Sequence, residues 1–336
     1  MKRRTIILAA LALGALLARP RYRLRGRVTV ITGGSRGLGL AMARRFGRRG
    51  AKLALLARDA DELERARAEL VKGGLEAQTF TCDVRDPASI ADALRRVEGA
   101  FGPVDVLVNN AGTIEVGPLE SMTEADYEDA MRTHFWGPYH ATSFVVPGMR
   151  ERGHGRIVNI SSIGGVLGVP HLAPYSASKF ALRGWSESIA AELRKDGVRV
   201  TTVCPGLMRT GSARNATFKG EHRREYAWFS VLDALPFFSI SASRAAESIV
   251  RACERGDASL VLSTPAKLAA VVHGVAPGLV TRMSSLVNAA LPRGKSTAAH
   301  AGRESTSRWS PSLLTTLDDR AAQTLNEGEL TNSPAH

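Results

Sequence analysis

Residues 27–32, Arg-Val-Thr-Val-Ile-Thr, run straight into a glycine-rich turn, Thr32-Gly33-Gly34-Ser35-Arg36-Gly37-Leu38-Gly39. The branched, mostly apolar run before the turn reads as a buried strand. Residues 38–49 after it read as an amphipathic helix, with Leu38, Met42 and Phe46 at i, i+4 and i+8. Glycines placed between a strand and a helix allow a tight reversal, and they let an anionic group come close to the helix N-terminus. The spacing is Gly-x-x-x-Gly-x-Gly rather than Gly-x-Gly-x-x-Gly. On its own it is also compatible with an ordinary glycine-rich loop.

The rest of the chain repeats the strand–helix alternation. Strand-like segments fall at residues 52–57, 76–80, 104–108, 156–161, 198–204 and 259–263. Helical patterns separate them at residues 61–72, 87–99, 124–150, 177–195 and 243–254. Such alternation predicts the α/β class, a Rossmann-type doubly wound parallel sheet in three layers, α/β/α. Residues 26–265 form one core of normal size for that architecture. No repeat of solenoid type is present.

A second constellation carries chemistry. Tyr175 and Lys179 are four apart in Tyr175-Ser176-Ala177-Ser178-Lys179, so on a helix they share a face. A free phenol titrates near pH ~10, and a neighbouring ammonium favours its ionised form. The expected arrangement is therefore an acid/base tuned by a cation. The Ser-Ser pair ending at Ser162 supplies a hydroxyl that can orient a carbonyl. In isolation, a Tyr-x-x-x-Lys pair is more often a solvated helix face.

These motifs together resemble the short-chain dehydrogenase/reductase family over residues 26–263. The resemblance rests on the glycine turn, Asp83-Val84, Asn109-Asn110-Ala111-Gly112, the Asn-Ile-Ser-Ser run at 159–162, Tyr175/Lys179, and Pro205-Gly206 followed by Thr210. It implies that Tyr175 gives or takes the proton. Lys179 would lower its pKa and bind the nicotinamide ribose, and Ser162 would orient the carbonyl. For the cofactor it implies a cradle from Gly33, Ser35, Arg36, Gly37, Leu38 and Gly39, with Asp83 and Val84 at the adenine. Asn110, Ala111 and Gly112 would line the adenine ribose region. Asn109 would tie neighbouring strands. Pro205, Gly206 and Thr210 would hold the carboxamide. The pattern is broken at His134, in Arg132-Thr133-His134-Phe135-Trp136-Gly137, where relatives carry an asparagine that anchors a water linking the lysine to solvent. Histidine can both donate and accept, so it could replace that relay. It could equally be a plain helix residue.

Cofactor preference follows from charge. A carboxylate at the end of the second strand would bind the ribose 2′-hydroxyl of NAD. Ala57 stands there, followed by Arg58, and Arg36 lies inside the turn. Two guanidinium groups suit a 2′-phosphate, so NADP(H) is favoured over NAD(H). Asp59, one residue on, weakens the argument slightly. Either arginine could instead be solvated.

Residues 211–240 concentrate Phe218, Tyr226, Trp228, Phe229, Leu232, Leu235, Phe237 and Phe238, although aromatic residues make up only 6% of the chain. In the family this stretch covers the substrate, which points to a large apolar compound: a lipid, steroid-like or acyl ketone or alcohol. Packing of the lid on the core, or a dimer contact, accounts for the same residues.

The formal net charge is +13, and residues 1–58 hold fifteen Lys or Arg with no Asp or Glu. Nucleic acid is excluded as the reason, because these charges bracket the cofactor unit and one apolar segment. That segment, residues 6–18, is flanked by Lys2, Arg3 and Arg4 and by Arg19, Arg21, Arg23, Arg25 and Arg27. It is short of the ~20 residues a bilayer crossing takes. Residues 1–25 are expected to anchor at a membrane surface on the cytoplasmic side, or else to dock on the protein. Residues 266–295 form an apolar helical extension facing a membrane or a second subunit. Residues 296–336 are polar and expected to be flexible, with local docking by Trp309 and residues 313–317. Cys82, Cys204 and Cys253 lack metal-ligand or disulfide spacing. The expected function is NADP(H)-dependent interconversion of a carbonyl and an alcohol, with no metal, in a homodimer or homotetramer. The alternative is a non-catalytic dinucleotide sensor or scaffold.

Overall fold

The computed structural model describes residues 21–234, 239–306 and 321–327. Seven strands form one parallel sheet: β1 (Val28–Thr32), β2 (Lys52–Ala57), β3 (Ala77–Thr81), β4 (Val106–Asn109), β5 (Gly155–Ile160), β6 (Val198–Pro205) and β7 (Ser259–Leu262). Their spatial order is β7-β6-β5-β4-β1-β2-β3. The order reverses between β1 and β4, which opens a crevice at the carboxyl ends of these two strands.

Both faces of the sheet are covered. Helices α1 (Gly37–Gly47), α2 (Ala60–Lys72) and α8 (Ala242–Arg255) pack one face, through Phe46, Leu63 and Ile249 among others. Helices α3 (Pro87–Phe101), α5 (Gly137–Glu151) and α6 (Ala173–Leu193) pack the other, through Leu94, Val145 and Leu193. Within β1, Ile31 points to the first face while Val28 and Val30 point to the second, the period-two alternation of a strand buried on both sides.

The predicted helix over 124–150 is interrupted. It comprises α4 (Glu124–Met131), a π-helical turn (Arg132–Trp136) and α5. An inserted π turn rotates the residues that follow around the axis, and such turns cluster at functional sites. Helix α6 begins four residues earlier than the sequence pattern indicates, at Ala173, with Pro174 in its first turn. Tyr175 therefore stands at the start of a helix rather than before it.

Both ends of the core differ from expectation. Residues 21–25 belong to the body: Leu24 is buried, and the Tyr22 ring lies 4.2 Å beneath the Arg156 guanidinium. Residues 296–306 were expected to be flexible, yet His300–Ala301 pairs antiparallel with Thr217–Phe218. Residues 321–327 also pack on the body. The apolar extension comprises α9 (Thr264–Val275) and α10 (Pro277–Ala290), which leave Leu268, Val275 and Leu286 exposed. Among the described residues, no helix is long and apolar enough to cross a membrane. Residues 6–18, Leu235, Phe237, Phe238, Trp309 and residues 313–317 lie outside the described residues.

Candidate active site and cofactor cradle

The crevice between β1 and β4 is built around Thr32. Its Oγ1 accepts the backbone N–H groups of Asn110 at 2.9 Å and Ala111 at 3.1 Å. The Asn110 amide donates in return to the carbonyls of Thr32 at 3.0 Å and Gly33 at 3.1 Å. Asn110 thus pins the glycine turn with its side chain, and that role was not legible from the motif. Gly33 and Gly37 hold φ of 62° and 55°, the left-handed region that favours glycine. A Cβ on Gly39 would stand 2.0 Å from the Gly33 carbonyl oxygen, so only glycine lets α1 start against the turn. The result is a helix N-terminus without side-chain obstruction from its own glycines. Such a cradle fits the pyrophosphate of a dinucleotide.

Arg36 and Asp83 beside the cradle are already engaged. Arg36 meets Glu62 at 2.7 Å and Glu327 at 3.5 Å. Ser35 donates to the other oxygen of Glu62 at 3.1 Å. Arg58 is exposed beyond the end of β2. Asp83 accepts from Arg85 through Nη2 at 2.7 Å, Nε at 3.1 Å and the backbone N–H at 3.0 Å. The Arg85 hydrogen bonds hold the Asp83 carboxyl below the ordinary carboxylate value, with Arg58 adding a smaller pull. The Val84 carbonyl would lie 2.8 Å from a Cβ on Gly137, so α5 packs directly onto this loop. Glu62, Arg85 and Glu327 carry no motif, so their part here was not legible in the chain.

The three catalytic candidates converge at the carboxyl end of β5. Ser162 follows that strand, and its Oγ accepts the Gly164 N–H at 3.1 Å. Lys179, one turn beyond Tyr175 on α6, is buried and donates from Nζ to the Ile160 carbonyl at 3.0 Å. Its Nζ lies 5.5 Å from the centre of the Tyr175 ring. The Ser161 hydroxyl donates to the Lys179 carbonyl at 2.9 Å, which fastens α6 to β5. Burial pushes the Tyr175 phenol up to about 12, against a smaller lowering by the Ser162 hydroxyl. Burial also drives the Lys179 ammonium down to about 7. The expected lowering of the phenol by the lysine is not found here, because desolvation acts against both charged forms. The phenol is protonated at neutral pH.

His134 sits in the π-helical turn, 1% exposed. Its Nε2 accepts the Thr113 N–H at 3.1 Å, which places the ring proton on Nδ1. Nδ1 then donates to the Ser178 hydroxyl at 2.8 Å, and Ser178 donates onward to the Tyr175 carbonyl at 2.9 Å. Burial, then the Lys179 charge, holds the imidazole well below its usual pKa, so it is neutral. The ring meets Tyr175 edge-on at 5.4 Å, and a Cβ on Gly112 would lie 3.1 Å from Nε2. Both ring nitrogens are occupied by protein atoms, the pattern of a clamp between the loop after β4 and α6.

Asn109 donates to Asn159 at 2.8 Å and Thr142 at 3.2 Å, and Asn159 donates to Ser186 at 2.9 Å. This buried polar ladder joins β4, β5 and α6 beneath the site. Pro205 ends β6, Gly206 donates to the Leu262 carbonyl at 3.2 Å, and Thr210 is buried with its Oγ1 accepting from Ser212 at 3.2 Å. The lid residues Phe218, Tyr226 and Phe229 turn inward and form their own core with Val116 and Leu172. Ile114, Val169, Tyr175 and Trp228 pack half-buried against that core, so the face around the phenol is apolar.

A short chain dehydrogenase family model matches residues 27–219. "Dehydrogenase/reductase SDR family member 7B" of Bos taurus is 33% identical over 272 residues, covering 79% of this chain and 82% of that protein. Among solved structures, a metagenomic short-chain oxidoreductase in complex with NADP is 41% identical with a TM-score of 0.53, covering 55% of this chain and 84% of that one. A variant of actinorhodin polyketide ketoreductase with NADPH is 34% identical with a TM-score of 0.63, covering 70% of this chain and 95% of that one. This chain belongs to the short-chain dehydrogenase/reductase family and is an NAD(P)-dependent oxidoreductase.

Proposed function

We propose that the chain reduces a carbonyl compound to an alcohol with NADPH, using Tyr175 as the general acid. The carrying observation is geometric: the Tyr175 phenol meets the Ser162 hydroxyl that follows β5, and the Lys179 Nζ lies 5.5 Å from the centre of the phenol ring. A bound nicotinamide cofactor supplies the hydride to the carbonyl carbon. The Ser162 hydroxyl donates a hydrogen bond to the carbonyl oxygen and holds it toward Tyr175. The phenol gives that oxygen its proton as the negative charge develops, leaving a tyrosinate. In its ammonium form, held below about pH 7, Lys179 one turn away stabilises that tyrosinate, and His134 keeps the helix carrying both residues against the loop after β4. The half-buried surface of Ile114, Val169 and Trp228 beside the phenol supports an apolar substrate.

NADP(H) is favoured because β2 ends in Ala57-Arg58 with no carboxylate at the 2′ position. The two solved relatives described with NADP or NADPH fit that reading. A panel of apolar ketones with NADPH and NADH tests it: NADPH consumption matched by alcohol formation is expected. Faster turnover with NADH would remove the cofactor assignment, and no carbonyl consumption with either would remove the reaction.

A further inference from the structure

The chain's own residues 321–327 lie across the glycine cradle, nearly three hundred positions from it in sequence. Residues 321–324 make a helical turn that ends with Asn326 at φ 58°, and the Glu327 N–H returns to the Ala322 carbonyl at 3.1 Å, closing the turn as a left-handed helix cap. Ser35, Arg36 and Gly37 of the cradle are touched. The Gly37 N–H, at the start of α1, donates to the Leu325 carbonyl at 2.9 Å. The Asn326 amide donates to the Ser35 carbonyl at 2.9 Å and to the Glu62 carbonyl at 3.0 Å, and its oxygen accepts from Arg65 at 3.1 Å. Leu325 is 5% exposed and joins the core cluster of α1.

Glu327 is 7% exposed, although it is an acid near the end of the chain. Its carboxylate accepts from Asn215 at 2.6 Å and faces Arg36 Nε at 3.5 Å. One of its oxygens lies only 2.5 Å from where a Cβ on Gly37 would stand. The missing side chain at Gly37 is therefore the space the carboxylate uses. A buried carboxylate is tolerated only where donors and positive charge compensate it, and a helix N-terminus with a guanidinium supplies both. The same donors would receive a phosphate.

We propose that residues 321–327 are an intramolecular competitor of the dinucleotide: Leu325 and Glu327 occupy the places of the pyrophosphate oxygens, and cofactor enters only when the segment leaves. The proposal rests on the dinucleotide reading of the cradle. It makes the apparent affinity for NADPH depend on the fraction of molecules with the segment released, so a segment docked nine-tenths of the time weakens binding about tenfold. It also assigns Arg36 two alternative anions, Glu327 in the closed form and a cofactor phosphate in the open one.

The test is NADPH binding measured by nucleotide fluorescence on the full chain, on Glu327→Lys and on a chain ending at residue 320. Both altered chains should bind about tenfold or more tightly. On the unaltered protein, hydrogen exchange at the amides of 321–327 should speed up when NADPH is added. Equal affinities, weaker binding by the altered chains, or slower exchange at 321–327 with NADPH would overturn the competitor and point to a segment that completes the site. Failure of the full chain and both altered chains to bind either NADPH or NADH would overturn the dinucleotide reading itself.

Discussion

The fully buried carboxylate of Glu225, on α7 (His222–Ala234), accepts a hydrogen bond from Nδ1 of His171 at 2.8 Å, and so ties the lid to the loop that leads into Tyr175. The second oxygen of Glu225 accepts from Trp228 Nε1, also at 2.8 Å. His171 has φ of 63°, a left-handed backbone that a histidine adopts only when its surroundings hold it there. The position of the loop that leads into Tyr175 is thus set in part by a side chain on α7.

Glu225→Leu should strand the N–H groups of His171 and Trp228. Each unsatisfied buried donor costs about 1–3 kcal/mol. Thermal melting should shift down, and kcat should fall while the NADPH dissociation constant stays near its original value. An unchanged melting temperature would show that the contact holds nothing.

Tyr175→Phe removes only the transferable proton. Turnover should fall by about a hundredfold or more, with cofactor affinity nearly intact. A variant that keeps more than about a tenth of the rate would show that another group is the acid.

Lys179 gives a prediction with a sign. Its pKa is pushed from 10.5 down to about 7 by burial. Between those values the unfolded chain binds the proton and the native state does not, so stability rises with pH across that window. The contribution is fully present above 10.5 and lost as pH falls toward about 7. Lys179→Met should therefore raise the melting temperature more at pH 6.5 than at pH 10, while abolishing turnover. Equal shifts at the two pH values would mean that the ammonium is not penalised by burial.

His134 is neutral and held at both nitrogens, so the unfolded chain gains a proton below about 6.5 that the native state refuses. Stability is expected to fall as pH drops through that value. His134→Asn should lose less stability on acidification than the unaltered protein. His134→Ala should melt at a lower temperature and keep the shape of the pH–rate profile, because a clamp is lost. A profile that changes shape in the alanine variant would assign His134 to the proton relay.

Arg58→Ala should weaken NADPH by about tenfold and leave NADH nearly unchanged, the scale of one charge-assisted hydrogen bond. Binding titrations with both nucleotides check this. Equal loss for the two would show that Arg58 does not meet a 2′-phosphate.

The sheet, its strand–helix alternation and the cluster of Ser162, Tyr175 and Lys179 were legible in the chain, because they depend on local rules. Period-two and period-3.6 patterns are set by each segment's own backbone geometry, and a four-residue spacing puts Tyr175 and Lys179 on one helix face. The glycines at 33, 37 and 39 were legible for the same reason, since only a residue without a Cβ takes those conformations and contacts. What the sequence could not decide was every quantity that depends on distant neighbours. Burial by the surrounding layers raised the Tyr175 phenol and lowered the Lys179 ammonium, where the pair alone predicted a lowered phenol. Packing turned Phe218, Tyr226 and Phe229 into the lid's own core rather than a substrate wall. The tertiary fold also brought Leu325, Asn326 and Glu327 onto the turn at residues 33–39. No periodicity joins positions so far apart. Only the folded chain brings an acid at residue 327 to the helix N-terminus at Gly37, where the missing side chain leaves room for it.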